Sequence, residues 1–291
     1  MLGFLLIDKP LGITSHDVVN RIRRGLGTRR VGHAGTLDPL ATGLLVVAVG
    51  PATRFLQYLE LEPKEYLAAA RFGITTDSQD AEGTVVQEGP VPVDLASAIA
   101  THLLSFGGAI EQLPPMYSAV KKAGKALYAY ARRGIEVERE PRTVYIDAYD
   151  LLEVSGAEAR FRIVCSGGTY VRTLIHDLGV AIGCGAHMTG LIRTRAGRFH
   201  LSESVSLDRV GVGDLMSLAD ALVHLPSVRL PIAQVQMIRE GRSVPGPEHA
   251  EGRYVALKTE DGAVFSMARW VGNRLQPECV ISSEALEIGP L

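Results

Sequence analysis

The segment richest in residues suited to chemistry runs from Gly32 to Gly43 and reads GHAGTLDPLATG. It places a histidine, His33, and a carboxylate, Asp38, on a stretch with three glycines and one proline. Glycine lets the backbone approach a ligand closely, and the proline restrains the turn after Asp38. A carboxylate held on a rigid loop can act as a base or a nucleophile. An Asp-Pro turn or helix N-cap and a structural histidine are the alternatives, and both remain open from these residues.

A second segment, Cys165 to Gly179, reads CSGGTYVRTLIHDLG. A predicted strand ends there, two glycines turn the chain, and a predicted helix begins near Thr169. Tyr170 and Arg172 lie at the start of this helix, whose N-terminal end carries partial positive charge. Arg172 can pair with a carboxylate or a phosphate. An ordinary surface arginine is the alternative.

Several common catalytic motifs are absent. There is no GxxxxGK[ST] loop, and Gly124-Lys125 lacks the preceding glycine, which argues against a P-loop NTPase. Gly25-Leu-Gly27 is an incomplete dinucleotide fingerprint. The sequence also lacks HExxH and GxSxG, and its eight histidines show no ligand spacing.

Composition indicates a folded protein with a large core, or a large core and a small one. The chain has 291 residues, 46% of them hydrophobic and 21% charged, with a net charge of −2. Such an apolar chain is not a disordered protein. Its three widely spaced cysteines favour free thiols in a reducing compartment. Because we find neither a signal-peptide pattern nor an apolar run near the ~20 residues of a membrane helix, we expect a cytoplasmic protein.

Basic residues are clustered although the net charge is slightly negative. Separate groups of cations can build a surface that follows a phosphate backbone, whereas any single group is as well explained by a solvated helix face. Three groups together favour an anionic polymer as partner. They comprise Arg21, Arg23, Arg24, Arg29 and Arg30; Lys121, Lys122, Lys125, Arg132 and Arg133; and Arg193, Arg195, Arg198 and His200.

Hydrophobic patterning predicts an α+β fold on a mixed, mostly antiparallel sheet, because strands and helices do not alternate strictly. Ser15 is predicted to cap a helix that stops at Gly25 or Gly27. The predicted strands are Gly3 to Ile7, Leu44 to Val49, 65–73, 84–88, 143–154 and 158–165. The other predicted helices are 94–105, 125–133, 170–182 and 213–222.

The pattern changes near Leu225-Pro226. An amphipathic helix is predicted around Ile232, Val235 and Ile238, followed by strands at 254–258, 263–270 and 274–280. About 65 residues of this kind are typical of a small, β-rich appended domain that is stable when docked.

Several long motifs, in the same order, resemble the TruB-type tRNA pseudouridine synthases over essentially the first 225 residues. The region after them resembles, more weakly, the small PUA RNA-binding domain of that family. The motifs are GFLLIDKPLGITS from Gly3, the GHAGTLDPLATG loop, Lys64-Glu-Tyr66, RFGITTDSQD from Arg71, PPMYSAVK from Pro114, and CSGGTYVRTLIHDLG. The family usually has threonine after the first aspartate where this chain has Asp77-Ser78, a departure that concerns local packing.

The resemblance implies a pseudouridine synthase domain over 1–226, with an RNA-gripping insertion at about 117–142, and a PUA-like domain over 227–291. It implies that the protein isomerises uridine 55 in the T-loop of tRNA, as a monomer without an obligate protein partner, metal or cofactor. The implied site residues are catalytic Asp38, His33 inserting into the T-loop, Tyr66 on the flipped base, Tyr170 and Leu191 lining the pocket, Arg172 pairing with Asp38, and Asp80 in support.

The sequence leaves the chemical route open, because Asp38 could attack C1′ or remove a sugar proton to form a glycal. Two other functions are also weighed. An RNA-binding protein would use the basic groups and need Asp38 only as a turn residue. A guide-RNA-dependent synthase resembling dyskerin is less favoured, because those chains usually carry basic extensions that this sequence lacks.

Overall fold

The computed structural model describes residues 1–118, 120–122, 124–247 and 254–282. The helices are α1 (Ser15–Gly25), α2 (Leu95–Leu103), α3 (Leu127–Ala131), α4 (Val171–Ile182), α5 (Leu218–Ala221) and α6 (Ile232–Arg239). The strands up to residue 206 are β1 (Gly3–Lys9), β2 (Val31–Ala34), β3 (Ala41–Val49), β4 (Lys64–Phe72), β5 (Ile74–Thr76), β6 (Val85–Glu88), β7 (Gly108–Gln112), β8 (Lys121–Lys122), β9 (Lys125–Ala126), β10 (Arg142–Ser155), β11 (Glu158–Cys165), β12 (Ala186–Ala196), β13 (Phe199–His200) and β14 (Val205–Ser206). The later strands are β15 (Ser227–Arg229), β16 (Val244–Pro245), β17 (Tyr254–Lys258), β18 (Val264–Val271) and β19 (Arg274–Val280).

A large mixed sheet forms the centre of the molecule. Within the described ranges it has ten strands, with the main order β14–β1–β3–β12–β4–β11–β10–β7 and with β2 on β3 and β13 on β12. Neighbours are antiparallel except for the parallel pairs β1–β14 and β3–β12. The expectation of an α+β fold on a mixed, mostly antiparallel sheet is therefore confirmed.

Helices α1 and α4 pack against the sheet and bring their N-terminal ends to the site. Val18 and Ile22 of α1 share a buried cluster with Ile7 of β1 and Val47 of β3. In α4, Leu174, Ile175 and Leu178 belong to a second cluster with Phe72 and Phe161 of the sheet. Burial of these apolar faces stabilises the helices, since helices of this length are marginal alone.

Some predicted elements differ from the observed ones. The N-cap of α1 is Thr14 rather than Ser15, because Thr14 and Asp17 form a reciprocal capping box. Of the predicted helix 125–133, only Leu127–Ala131 is helical, and it forms α3. The predicted helix 213–222 is wrong in its first half, where Met216 pairs with Phe4 through two backbone hydrogen bonds that hold the chain extended.

A second sheet follows the large one and has the order β15–β17–β18–β19–β16 among the described residues. The predicted helix and three predicted strands of this region are confirmed as α6, β17, β18 and β19. Met267 and Ile281 share a buried cluster with Phe55, in the 3₁₀ helix Gly50–Tyr58 that follows β3, and with Leu59 directly after it. This apolar contact explains how a small sheet is stabilised by docking.

None of the helices in the described parts of the chain has the length and apolar content that crossing a bilayer requires.

Candidate active site

The loop that carries Asp38 is held by its backbone and leaves the carboxylate partly exposed. The Leu37 N–H donates to Oγ of Ser15 at 2.8 Å, and the Ser15 hydroxyl is 3.1 Å from the Leu37 carbonyl oxygen. The Gly12 N–H donates to the Pro39 carbonyl at 2.9 Å. The Asp38 side chain is 45% exposed. The loop is therefore fixed while the carboxylate faces open space, which a base or nucleophile requires.

We expect Ser15→Ala to lower the free energy of unfolding by about 1–3 kcal/mol, because it leaves the buried Leu37 N–H without an acceptor. Activity per folded molecule should fall about tenfold, because Leu37 precedes Asp38 and misplacement of a reacting group is costly. Urea denaturation and turnover assays measure the two effects.

Asp94→Ala is the matched control for Ser15→Ala, since Asp94 caps α2 by accepting from the Ser97 N–H at 3.0 Å. It should cost about 1 kcal/mol of stability and leave turnover unchanged. Equal turnover losses in the two variants would contradict a positioning role for Ser15.

Arg172 joins two carboxylates in the interior of the site. Its Nη1 lies 3.1 Å from Oδ2 of Asp38 and 3.0 Å from Oδ2 of Asp80. The other terminal nitrogen donates to the Tyr117 carbonyl. The Arg172 and Asp80 side chains are only 6% and 4% exposed. A buried guanidinium with two carboxylates compensates charges that would be unstable separately.

Asp80 is held by its own loop as well as by Arg172. The Ser78 hydroxyl donates to Oδ1 of Asp80 at 2.6 Å, and the Glu82 N–H donates to the same oxygen at 3.1 Å. Ser78, at the position where threonine was expected from the family resemblance, thus supplies a hydroxyl that holds Asp80. The neighbouring Gln79, at φ +66°, accepts from the Thr173 hydroxyl at 2.7 Å and ties the loop to α4.

A cavity of about 260 Å³ opens beside Asp38. Side chains alternate along a strand, so Lys64 and Tyr66 of β4 share one face, as do Leu191 and Arg193 of β12. Tyr66 is the register partner of Arg193, and the two strands form one wall of the cavity. Burial raises the pKa of Tyr66, which keeps its phenol neutral. Opposite them, the cavity is lined by Tyr170, Val171 and Arg172 from the start of α4.

Arg193 is a site residue that the sequence did not reveal. The sequence groups it with surface cations, but it is buried, donating from Nε to the Leu44 carbonyl at 2.7 Å and from Nη2 to the Gly35 carbonyl at 2.8 Å. A Cβ on Gly35, at φ +71°, would approach Nη1 of Arg193 at 3.2 Å, which explains the glycine. The available signal was its spacing of two residues from Leu191, which places both on one strand face.

Gln112 is a second residue of the site that the sequence did not predict. Its side chain accepts from the Tyr170 N–H at 2.7 Å and donates to the Tyr170 carbonyl at 3.1 Å. Gln112 ends β7 and lies 58 positions before Tyr170 in the chain, so no local sequence pattern predicts this contact. It fixes the residue just before α4 and so the cavity wall that Tyr170 forms.

His33 borders a second, larger cavity of about 680 Å³ that also contacts Asp38 and Arg172. Burial, with smaller effects from Arg193 and His16, lowers the pKa of His33. The imidazole is therefore neutral at pH 7. Asp38 lies where the two cavities meet.

Lys9 supports the turn that holds the Asp38 loop. Its buried ammonium donates to the Ile13 carbonyl at 2.6 Å and to the Pro10 carbonyl at 3.0 Å. Burial lowers the pKa of Lys9 to about 8, although the nearby Asp38 and Glu82 carboxylates oppose this shift.

The Lys9 shift predicts a pH-dependent stability. Between pH 8 and about pH 10.4 an unfolded lysine remains protonated while the folded one is neutral, so stability rises with pH. Relative to Lys9→Met, wild type should gain about 2 kcal/mol of unfolding free energy from pH 7 to pH 10. Urea denaturation at both pH values measures this difference. An unchanged difference would show that Lys9 keeps its ordinary pKa in the folded protein.

The predicted basic groups have different structural roles. In the first group, Arg23 donates to the Val31 carbonyl at 3.0 Å and is partly buried, whereas Arg24 and Arg29 are exposed. The described cations of the second group, on and around β8, β9 and α3, are exposed. The third is not a continuous surface group, because Arg193 is buried.

Within the described ranges, no group of three or more histidine, cysteine, aspartate or glutamate side chains is placed to hold a metal ion.

Comparison with solved structures defines the class of fold. A chain in the structure of an H/ACA RNP bound to a substrate RNA containing 2′-deoxyuridine is 27% identical, with a TM-score of 0.70 over 96% of this chain and 85% of that chain. A chain in a Cbf5-Nop10-Gar1 complex is 31% identical, with a TM-score of 0.68 over 99% of this chain and 81% of that chain. The protein therefore shares the fold of these two chains.

Sequence relatives narrow this class to one family. The tRNA pseudouridine synthase B of Syntrophotalea carbinolica is 46% identical over 94% of each chain, and that of Gloeobacter violaceus is 43% identical over 97% of this chain and 99% of the relative. The family model for the N-terminal domain of TruB family pseudouridylate synthases matches residues 23–171, and the model for the tRNA pseudouridylate synthase B C-terminal domain matches 172–220. The chain belongs to the TruB family of pseudouridylate synthases, which confirms the resemblance seen in the sequence.

Proposed function

We propose that this protein converts uridine to pseudouridine at position 55 in the T-loop of tRNA, with no metal or cofactor. The observation that carries the proposal is the Asp38 carboxylate, paired with Arg172 at 3.1 Å beside the cavity lined by Tyr66. The names of the sequence relatives support tRNA as the substrate.

Access to the target base requires base flipping. A uridine stacked in folded RNA cannot reach Asp38, so it must leave the stack at a cost of a few kcal/mol. Stacking of the uracil on Tyr66 can return about 1–3 kcal/mol. His33, neutral and at the larger cavity, fits the place vacated in the T-loop, while Tyr170 and Leu191 line the pocket of the flipped base.

Asp38 starts the reaction by one of two routes. As a nucleophile it attacks C1′, and as a base it removes the C2′ proton to give a glycal. In both, the N1–C1′ bond breaks and the uracil rotates. C5 then bonds to C1′, displacing the Asp38 carboxylate in the first route and with return of the proton from Asp38 to C2′ in the second. The C5 proton is lost and N1 is protonated. Arg172, 3.1 Å from Oδ2 of Asp38, orients the carboxylate that both routes need.

The RNA-binding surface extends beyond the pocket in this proposal. Residues 1–226 form the catalytic domain, with the exposed cations of the 117–142 insertion gripping the RNA backbone. Residues 227–291, which lie partly outside the described ranges, form a PUA-like domain. The protein acts as a monomer in the cytoplasm, where its free cysteines Cys165, Cys184 and Cys279 stay reduced.

Tritium release from tRNA labelled at uridine C5 tests the function. Isomerisation must expel the C5 hydrogen when carbon replaces nitrogen at the sugar, so wild type should release tritium. Transcripts with cytidine at position 55 and labelled uridine elsewhere should release none. Tight tRNA binding without release would contradict the proposal and favour an RNA-binding protein or a guide-dependent enzyme.

A further inference from the structure

Three cationic side chains line the 260 Å³ cavity in the described ranges, and they differ in their partners. Arg172 is occupied by two carboxylates and a carbonyl, and Arg193 by two backbone carbonyls. The Lys64 ammonium makes no hydrogen bond or close ion pair with any described residue. The Glu62 carboxylate attracts it only from a longer distance. Lys64 is therefore the cation with donors available to a ligand.

The backbone directs Lys64 into the cavity. Lys64 and Tyr66 are two residues apart on β4, so they extend from the same face of the strand. A Cβ on Gly35 would stand 3.6 Å from Cε of Lys64, and a Cβ on Gly167 would stand 3.2 Å from its Nζ. The ammonium thus lies beside the turn that precedes α4, with its stem passing the Asp38 loop. Burial lowers its pKa, as expected for a desolvated ammonium without a close anion.

The charges in the cavity are arranged with opposite signs. Asp38 supplies the negative charge, and its effect is balanced on one side by Arg172. Lys64 and Arg193 line the same cavity as Tyr66 and supply positive charge there, and the charge of Arg193 acts on both Lys64 and Tyr66. A flipped uracil on Tyr66 would therefore lie in a region of positive potential.

We infer that Lys64 is a catalytic residue that donates a hydrogen bond to a uracil carbonyl and stabilises the departing base as an anion. This inference rests on the proposed isomerisation. When the N1–C1′ bond breaks, its electron pair passes to N1 and is delocalised onto O2 and O4. Negative charge thus moves from the Asp38 carboxylate to the uracil, and a preorganised cation next to the uracil stabilises the transition state. The charge disappears when C5 bonds to C1′ and the base is protonated at N1.

Lys64→Met tests this role under single-turnover conditions with saturating tRNA. We expect the rate constant to fall about 100-fold, as for loss of one preorganised donor, while the dissociation constant for tRNA changes less than about threefold. Arg160→Met is the control for charge, because Arg160 lies on the same sheet but is exposed and paired with Glu153 at 3.7 Å. It should react at the wild-type rate. Lys64→Gln, which keeps a neutral donor, replaces Lys64→Met if the latter does not fold.

A substrate with a better leaving group distinguishes a catalytic role of Lys64 from a structural one. Fluorine at C5 stabilises the uracil anion, so tRNA with 5-fluorouridine at the target should depend less on Lys64. Loss of the parent nucleoside reports the cleavage step. We expect the effect of Lys64→Met to shrink at least about fivefold on this substrate.

The outcomes are distinct. An equal rate loss on both substrates would overturn the inference in favour of a structural role for Lys64. An unchanged saturated rate with weaker, less salt-dependent tRNA binding would overturn it in favour of a phosphate contact. Absence of tritium release by wild type would instead refute the proposed function itself.

Discussion

Replacing Asp38 with asparagine is expected to reduce tritium release from labelled tRNA by about 10³-fold or more. An amide can neither attack C1′ nor accept the C2′ proton, so both candidate routes are lost. The amide oxygen can still accept from Arg172, whose guanidinium also keeps its pair with Asp80 at 3.0 Å. Asp38→Asn therefore leaves no uncompensated buried charge, and both stability and tRNA binding should stay close to wild type.

The matched control for Asp38→Asn is Asp150→Asn. Asp150 is 53% exposed and pairs with Arg162 at 2.9 Å, so it resembles Asp38 in exposure and in partner but lies on β10 away from the cavity. It should retain full activity. Wild-type turnover by Asp38→Asn would leave Asp38 as a turn residue and remove the basis of the proposed chemistry.

The sequence predicted the elements that are defined by local patterns. The apolar runs of β1 and β3, the alternation in β10 and β11, and the start of α4 after paired glycines are all local signals. The strand β12 was missed, because Ala186–Ala196 mixes apolar, small and basic residues. Its identity as a strand depends on β3 and β4, which flank it in the sheet. Pairing between distant segments is not encoded in a local period.

The candidate site shows the same division. The family motifs predicted Asp38, Tyr66, Asp80 and Arg172 as site residues, and the structure brings Arg172 into contact with both carboxylates. Arg193 and other supporting contacts were not found, because hydrogen bonds to backbone groups of distant elements leave no motif. The basic composition around Arg193 even indicated a surface position, which burial contradicts.

Arg172→Met is expected to remove both stability and activity. Without the guanidinium, the buried carboxylate of Asp80 loses its ion pair, and the Tyr117 carbonyl loses a donor. Removing one partner of a buried ion pair costs about 3–5 kcal/mol. Turnover should fall at least about 100-fold, because Asp38 also loses the cation that fixes its orientation at 3.1 Å. Urea denaturation and single-turnover tritium release measure the two losses.

Combining Arg172→Met with Asp80→Asn distinguishes these two consequences. The double variant buries no unpaired carboxylate, so it should recover about 2 kcal/mol or more of the lost stability. Its turnover should remain low, because Asp38 still has no cation beside it. Recovery of both properties would show that Arg172 acts on the reaction only by holding Asp80 in place. Recovery of stability alone identifies the Arg172–Asp38 contact, rather than the buried Arg172–Asp80 pair, as the contribution of Arg172 to catalysis.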